Sequence, residues 1–146
     1  MRVFAVYGFV PTLVWLGFVL AISFMEAPLK FRAAGVSRSQ ALAVGRVVFR
    51  ALNLVESVLL LIVLAGLPGE SSRARMMVLL LAGLFALQQL VLRWPLDRSI
   101  AKSVAEGGSA SQRVTHLHRV YVFLEVIKVL GLVVLINVQL QEFPGQ

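Results

Sequence analysis

Cysteine is absent from this sequence, and charged residues are scarce. Among 146 residues there is no cysteine, and Asp, Glu, Lys and Arg together make up only 14%. The absence of thiols excludes disulfides, thiolate metal sites and thiol redox chemistry. Hydrophobic residues make up 59% of the chain, whereas soluble domains contain about 45 to 50%. This composition predicts an integral membrane protein.

Four apolar runs are long enough to cross a bilayer, whose hydrocarbon core needs about 20 residues of helix. They are Val3–Phe24, Val47–Leu67, Met76–Trp94 and Val120–Leu140. The first run is longer than the apolar core of a signal peptide, and no cleavage site follows it, so we expect it to be retained. Because four spans use most of the chain, the sequence predicts an all-α integral membrane protein. It would form a single domain over residues 1–146, an antiparallel four-helix transmembrane bundle.

Acidic residues are few, and the formal net charge is +7. Ten lysines and arginines lie around the first and third loops, namely Lys30, Arg32, Arg38, Arg46, Arg50, Arg93, Arg98, Lys102, Arg113 and Arg119. Three lie near the N terminus and the second loop, namely Arg2, Arg73 and Arg75. Positive residues are enriched in cytoplasmic loops. We therefore expect a multi-pass protein of the cell (inner) membrane with both termini outside.

The basic residues also indicate the partners. They lie beside apolar spans, so we expect them to hold anionic membrane lipids and not nucleic acid. The bias of ten against three argues against a dual-topology antiporter, because dual topology requires nearly balanced loops. Assembly into a homo-oligomer stays open.

Signals for helix ends lie well outside the apolar runs. Ser37 and Gln40 have the S-x-x-Q spacing of a capping box, which predicts a helix that starts at Ser37. Ser71 or Ser72 is expected to cap the third helix, and a glycine-rich break starts at Gly107. We therefore expect helices that extend into the cytoplasm by about two turns or more.

Charged side chains lie inside two of the apolar runs. Glu56 lies in the second run, and Glu125 and Lys128 lie in the fourth. A charge at the bilayer centre costs about 2.5 to 3.5 kcal/mol on insertion scales, so such residues face the interior of a helix bundle. With a rise of about 1.5 Å per residue, Glu56 and Lys128 fall at the same depth. The spacing predicts a buried ionic cluster of these three residues, in which Gln88 or Gln89 supplies further hydrogen bonds.

Asn53 lies one helical turn before Glu56 and is expected to satisfy hydrogen bonds that remain in this cluster. The candidate ligand-binding residues are the polar groups at this depth and on its cytoplasmic side: Glu26, Arg46, Arg50, Asn53, Glu56, Gln89, Arg93, Asp97, His116, Tyr121, Glu125 and Lys128. They predict a polar, cytoplasm-facing pocket for a small ligand, a lipid headgroup or an ion. Three alternatives stay open: a purely structural cluster, a proton shuttle, and a membrane-embedded enzyme that acts on a lipophilic substrate.

No cofactor or metal site is predicted. His116 and His118 are the only histidines, and two residues on a helix point about 160° apart. Haem with two axial histidines would therefore need a homodimer. A carboxylate-rich metal site that combines His116 with Glu26 or Asp97 is an alternative, and an interfacial histidine that contacts phosphates or water is the simpler interpretation. The sequence contains no nucleotide-binding loop, nucleophile elbow or zinc signature, so no catalytic residue is predicted.

Three motifs together resemble a known family. They are A-P-x-x-F-R followed by G-R-x-V-F around the first loop, R-W-x-L-D-R after the third span, and H-R-x-Y before the fourth. This layout resembles the transmembrane-protein-205-like family of small four-span proteins. The matching positions are Ala27, Pro28, Phe31, Arg32, Gly45, Phe49, Trp94, Leu96, Asp97 and His116. The resemblance implies a four-span fold, and it implies no catalytic residue.

The chain also resembles the membrane-associated eicosanoid and glutathione metabolism family, which has four spans and an R-A-x-x-N-x-x-E motif in its second helix. Here Arg50 and Ala51 are followed by Asn53 and Glu56, so N-x-x-E is kept but one residue before Asn53 is missing. On a helix the missing residue rotates the arginine by about 100°. The glutathione-binding arrangement of that family is therefore not expected here.

Overall fold

The computed structural model describes residues 8–93, 98, 101–102, 105 and 112–142, and every regular element among them is helical. The elements are α1 (Phe9–Val19), a first π-helix (Leu20–Glu26), α2 (Ala27–Lys30), α3 (Arg38–Gly66), a 3₁₀ turn (Leu67–Gly69), α4 (Ser72–Leu87), a second π-helix (Gln88–Arg93) and α5 (Gln112–Gln141).

Among the described residues, four stretches of helix are long and apolar enough to cross a membrane: Phe9–Lys30, Gln40–Gly69, Ser72–Leu90 and Arg119–Gln141. Each overlaps one of the four apolar runs expected from the sequence, with different bounds. The expected start of the first run at Val3 and the expected end of the third at Trp94 lie outside the described residues. The all-helical fold and the four candidate spans are therefore confirmed.

Side-chain caps determine where α3 and α4 begin. Gln40 N donates to Ser37 Oγ at 3.3 Å, and Ser37 N donates to Gln40 Oε1 at 2.8 Å, which completes the predicted capping box. Ser71 caps α4, because its hydroxyl accepts from Ala74 N at 3.2 Å. Helix α3 thus starts well before its apolar run, as expected. The break predicted at Gly107 lies outside the described residues.

The helices pack through one apolar core. Helix α1 contacts α3 and α5, and α4 packs against α5. Trp15 of α1 and Phe85 of α4 meet edge to face, with 6.3 Å between ring centroids. A Cβ on Gly131 of α5 would lie 2.8 Å from a methyl carbon of Leu81, so the glycine allows α4 to approach closely. The core comprises Trp15, Val19, Leu60, Val63, Ala74, Val78, Leu81, Phe85, Leu132 and Leu135.

The outer surface of the helices is apolar. Large aliphatic and aromatic side chains are exposed on three of the long helices, among them Leu54, Leu61, Leu79 and Phe123. Three charged side chains, those of Glu56, Glu125 and Lys128, are in contrast buried between the helices. Soluble proteins rarely bury such groups and expose fewer large apolar side chains. An apolar exterior around buried charged groups suggests a protein whose surroundings are lipid.

Candidate functional site

Helices α3 and α5 bring two carboxylates and one ammonium into contact. Lys128 Nζ lies 2.7 Å from Glu56 Oε1 and 2.8 Å from Glu125 Oε1. The residues are almost completely buried, with exposures of 0% for Glu56 and 1% for Glu125 and Lys128. Glu125 and Lys128 share a face of α5 because they are one turn apart. These three residues form the predicted ionic cluster, and its existence is confirmed.

Three uncharged side chains donate hydrogen bonds to the two carboxylates. Trp15 Nε1 donates to Glu56 Oε1 at 2.8 Å. Gln88 Nε2 donates to Glu125 Oε1 at 3.2 Å, and Ser23 Oγ donates to Glu125 Oε2 at 3.3 Å. The ionic cluster is therefore held by residues from all four candidate spans.

Two of these donors come from π-helical segments. Ser23 lies in the first π-helix (Leu20–Glu26) and Gln88 opens the second (Gln88–Arg93). A π turn changes the direction in which the following side chains point, and π turns occur frequently at functional sites. Both irregular segments therefore lie beside Glu125.

Two buried oxygen atoms, one in the ionic cluster and one on a residue that contacts it, accept no hydrogen bond from a described residue. Among the described residues, neither Glu56 Oε2 nor Gln88 Oε1 has a hydrogen-bond partner, and both are buried. Leaving such an acceptor without a partner costs about 1 to 3 kcal/mol. Two carboxylates and one ammonium also leave one negative charge uncompensated. The arrangement therefore favours a hydrogen-bond donor or a positive charge at this place.

Comparison with known families assigns the chain to one of them. A family model described as Domain of unknown function (DUF4149) matches residues 12–106, which is more than half of the sequence. The chain belongs to this family. The match neither supports nor excludes the resemblance to the transmembrane-protein-205-like family. No protein of curated function and no solved structure matches.

The range that the DUF4149 family matches divides the ionic cluster. It contains Glu56 and all three neutral donors, whereas Glu125 and Lys128 lie beyond residue 106. The family domain therefore supplies one carboxylate and its surroundings, and α5 supplies the other carboxylate and the ammonium.

A second polar group surrounds Lys30 near the end of the first candidate span. Lys30 Nζ lies 3.2 Å from Glu26 Oε2 and 5.0 Å from the centroid of the Phe49 ring. A Cβ on Gly45 would lie only 2.5 Å from this ammonium, so the missing side chain makes room for it. Tyr121 packs edge to face on Phe49, at 5.8 Å between centroids. Glu26 and Tyr121, both candidate ligand-binding residues, thus belong to this group.

The other candidate residues take different positions. Asn53 is buried, but no hydrogen bond between described residues joins its side chain to the ionic cluster. Arg46 and Gln89 are half-buried, and Arg50 and His116 are exposed. The side chains of Arg93 and Asp97 lie outside the described part of the chain. Within that part, no group of three His, Cys, Asp or Glu residues could hold a metal ion.

Sequence reasoning missed three residues of the site. Trp15 is not among the candidate residues, although its indole donates to Glu56. Ser23 lies in the first π-helix, which no sequence pattern indicates, and donates to Glu125. Gly45 appeared only as a motif position. A buried carboxylate that requires donors is the signal by which Trp15 could have been found.

A third polar contact lies at the opposite end of the helices. Gln139 Nε2 of α5 donates to Glu70 Oε1 at 2.8 Å, just before α4. Burial raises the pKa of Glu70 above its ordinary value, the hydrogen bond from Gln139 lowers it, and the charge of Glu142 raises it further. Glu70 therefore ties the second loop to the end of α5.

Proposed function

We propose that this chain is a multi-pass membrane protein that binds a small ligand at the ionic cluster. Its four helices cross the bilayer in alternating directions, with the first and third loops in the cytoplasm. The apolar exterior and the distribution of basic residues support this topology. The ligand carries hydrogen-bond donors or a positive charge.

One observation carries the proposal. Glu56 is fully buried, yet one of its carboxylate oxygens has no donor among the described residues, while the other accepts from two. A buried carboxylate is rarely left half-satisfied, and charged residues at membrane depth mark binding sites or ion pathways. A small ion or a ligand with an N–H or O–H group would fill the missing position. Anionic groups would be repelled by the excess negative charge.

The position of Ser23 and Glu26 supports access from the cytoplasmic side. Ser23 contacts Glu125, and Glu26 follows one turn later in the same π-helix. The side chain of Glu26 is 29% exposed. Polar groups therefore continue from the ionic cluster to the end of the span that the basic residues assign to the cytoplasm.

Mass spectrometry of protein purified in lipid nanodiscs tests this function. We expect a small cationic or donor-rich molecule or ion to be retained by the wild type and lost in Glu56→Gln, which keeps the shape but not the charge. Asn137→Leu is the matched control, since Asn137 is exposed on α5 and bonds only to Val133 O of its own helix. It should retain the same species. Identical bound species in all three proteins would contradict the proposal.

A further inference from the structure

The charges of the ionic cluster do not balance. Glu56 and Glu125 bring two negative charges, and Lys128 brings one positive charge. Among the described residues, Lys128 is the ion-pair partner that the structure gives to each carboxylate. Trp15, Ser23 and Gln88 are the remaining polar neighbours, and Glu26 is paired with Lys30 one turn away. An ionised pair of carboxylates would therefore leave one full negative charge away from water, which is strongly unfavourable.

We propose that the ionic cluster holds one exchangeable proton, which Glu56 and Glu125 share. With the proton bound, the three residues are neutral in sum; without it, they carry one negative charge. The inference rests on the same cluster as the proposed function, but it requires no ligand: in the ligand-free protein the proton neutralises the charge that the proposed ligand would otherwise balance, so proton and ligand compete. The binding step is the transfer of H⁺ from hydronium to a carboxylate oxygen, which forms one O–H bond and leaves a water molecule.

The geometry provides positions for the proton on both carboxylates. Lys128 Nζ donates hydrogen bonds to Oε1 of both Glu56 and Glu125, so the proton must reside on an Oε2 atom. Oε2 of Glu56 is without a partner among the described residues. Oε2 of Glu125 faces the hydroxyl of Ser23, which accepts as readily as it donates. Because Lys128 bridges the two acids, the proton belongs to the pair and not to one residue.

Gln88 strengthens this arrangement. Its amide nitrogen donates to Glu125, and its carbonyl oxygen is a buried acceptor without a donor in the described part of the chain. A protonated carboxyl group is itself a donor, which the charged form is not. The neutral form of the cluster therefore has one donor more than the charged form, and a buried acceptor atom of Gln88 lies on the side chain that contacts Glu125.

Infrared difference spectroscopy counts protonated carboxyl groups directly. Ligand-free protein in nanodiscs is titrated across neutral pH in H₂O and in D₂O, and the carbonyl stretch of protonated acids is quantified. All proteins carry Glu70→Gln, so that this second carboxyl group, whose pKa burial raises, cannot contribute to the band. We expect one protonated carboxyl in this background, with a band that shifts in D₂O and decreases as the pH rises.

The number of protonated carboxyl groups expected in each variant follows from the numbers of acids and ammonium groups that remain in the cluster. Glu56→Gln and Glu125→Gln each leave one carboxylate for one ammonium, so both should lose the band. Lys128→Met leaves two acids without a cation and should show two protonated groups. Glu142→Gln, which changes an exposed carboxylate beyond α5, is the matched control and should keep one.

A band that is absent at neutral pH, or that survives both glutamine variants, would overturn the proposal. A band that is absent but replaced by sodium-dependent shifts of the carboxylate stretches would overturn it in favour of a metal cation. If Lys128→Met does not fold, the two nearly isosteric glutamine variants still decide. Because the infrared measurement uses no ligand, its result is independent of the mass-spectrometry test. The proton can be present when no ligand is retained, and a ligand can be retained when the proton is absent.

Discussion

Glu56 and Lys128 form a buried ion pair, and the effect on stability of changing one residue depends on the other. Lys128 is buried against the Phe85 ring at 5.5 Å as well as against two carboxylates. A buried ion pair adds little net stability, because removing both charges from water offsets their attraction. Removing Lys128 leaves two acids without a cation, whereas removing Glu56 leaves Glu125 as the partner of Lys128. The pair is therefore expected to show strong coupling without being a large source of stability.

A double-mutant cycle measures this coupling. Lys128→Met should lower the free energy of unfolding most, by up to about 3 to 5 kcal/mol, because two buried acids lose their cation. Glu56→Gln should cost less, because Glu125 remains paired with Lys128. The double variant should recover part of the loss of Lys128→Met, since one acid and not two is then without a cation. Unfolding in detergent gives all four corners of the cycle. Losses that simply add would show that the two residues do not interact.

Gly45 provides a second test at the residue scale. An alanine there would press on the ammonium of Lys30, whereas nothing lies within 4 Å of a Cβ at Gly83 of α4. Glycine to alanine in a helix gains up to about 1 kcal/mol of intrinsic propensity. Gly83→Ala should therefore stabilise. Gly45→Ala should gain less, by about 0.5 to 1 kcal/mol, because it disturbs the contact of Lys30 with Phe49. Equal thermal shifts for the two variants would argue against a packing role for Gly45.

The raised pKa of Glu70, a residue outside the candidate spans, predicts that the stability of the protein depends on pH. Its pKa in the folded protein is raised above the ordinary value of 4.5, first by burial and then by Glu142. The folded state therefore binds more protons than the unfolded state just above pH 4.5, so stability should fall as the pH rises through that window. Glu70→Gln should flatten this part of the profile in thermal unfolding. A wild-type profile that rises over the same range would contradict this assignment.

At the scale of elements, side-chain caps and π-helices have different origins. The capping box at Ser37 follows from four adjacent residues, and the sequence predicted it. The π-helices follow from contacts with distant residues, and no local pattern indicated them. Ser23 and Gln88 are aimed at Glu125 by these segments. Local chemistry thus determines where helices begin, and tertiary packing determines where their regular turn is interrupted.

The caps can be tested by truncation. Ser37→Ala and Ser71→Ala each remove a hydroxyl that accepts from a backbone amide, at 3.3 Å and 3.2 Å. Each should cost about 1 kcal/mol. Ser72→Ala is the control, since Ser72 is exposed and already helical. If thermal unfolding gives the same value for all three variants, the caps contribute nothing to stability.

At the scale of the whole molecule, the sequence determined more of the fold than of the site. Four apolar runs and the cost of buried charge were enough to predict four helices and the contact between Glu56 and Lys128. Trp15 and Ser23 were not predicted, because they lie on α1 and its π-helix at rotations that packing fixes. Gln88 was one of two glutamines that an ideal helix could not distinguish. A buried charge requires a partner of opposite sign, so the sequence indicates which charged residues pair. A neutral hydrogen-bond donor has many possible acceptors, so its partner is not indicated.

The central claim is that four helices cross a membrane and enclose the ionic cluster, with the first and third loops in the cytoplasm. The chain lacks cysteine, so single cysteines at Ser39, Ser72 and Ser109 report their side of the membrane without further changes. With an impermeant thiol reagent on intact cells, the account predicts labelling at position 72 and protection at 39 and 109 until the membrane is opened. Labelling of 39 or 109 from outside, with 72 protected, would contradict it.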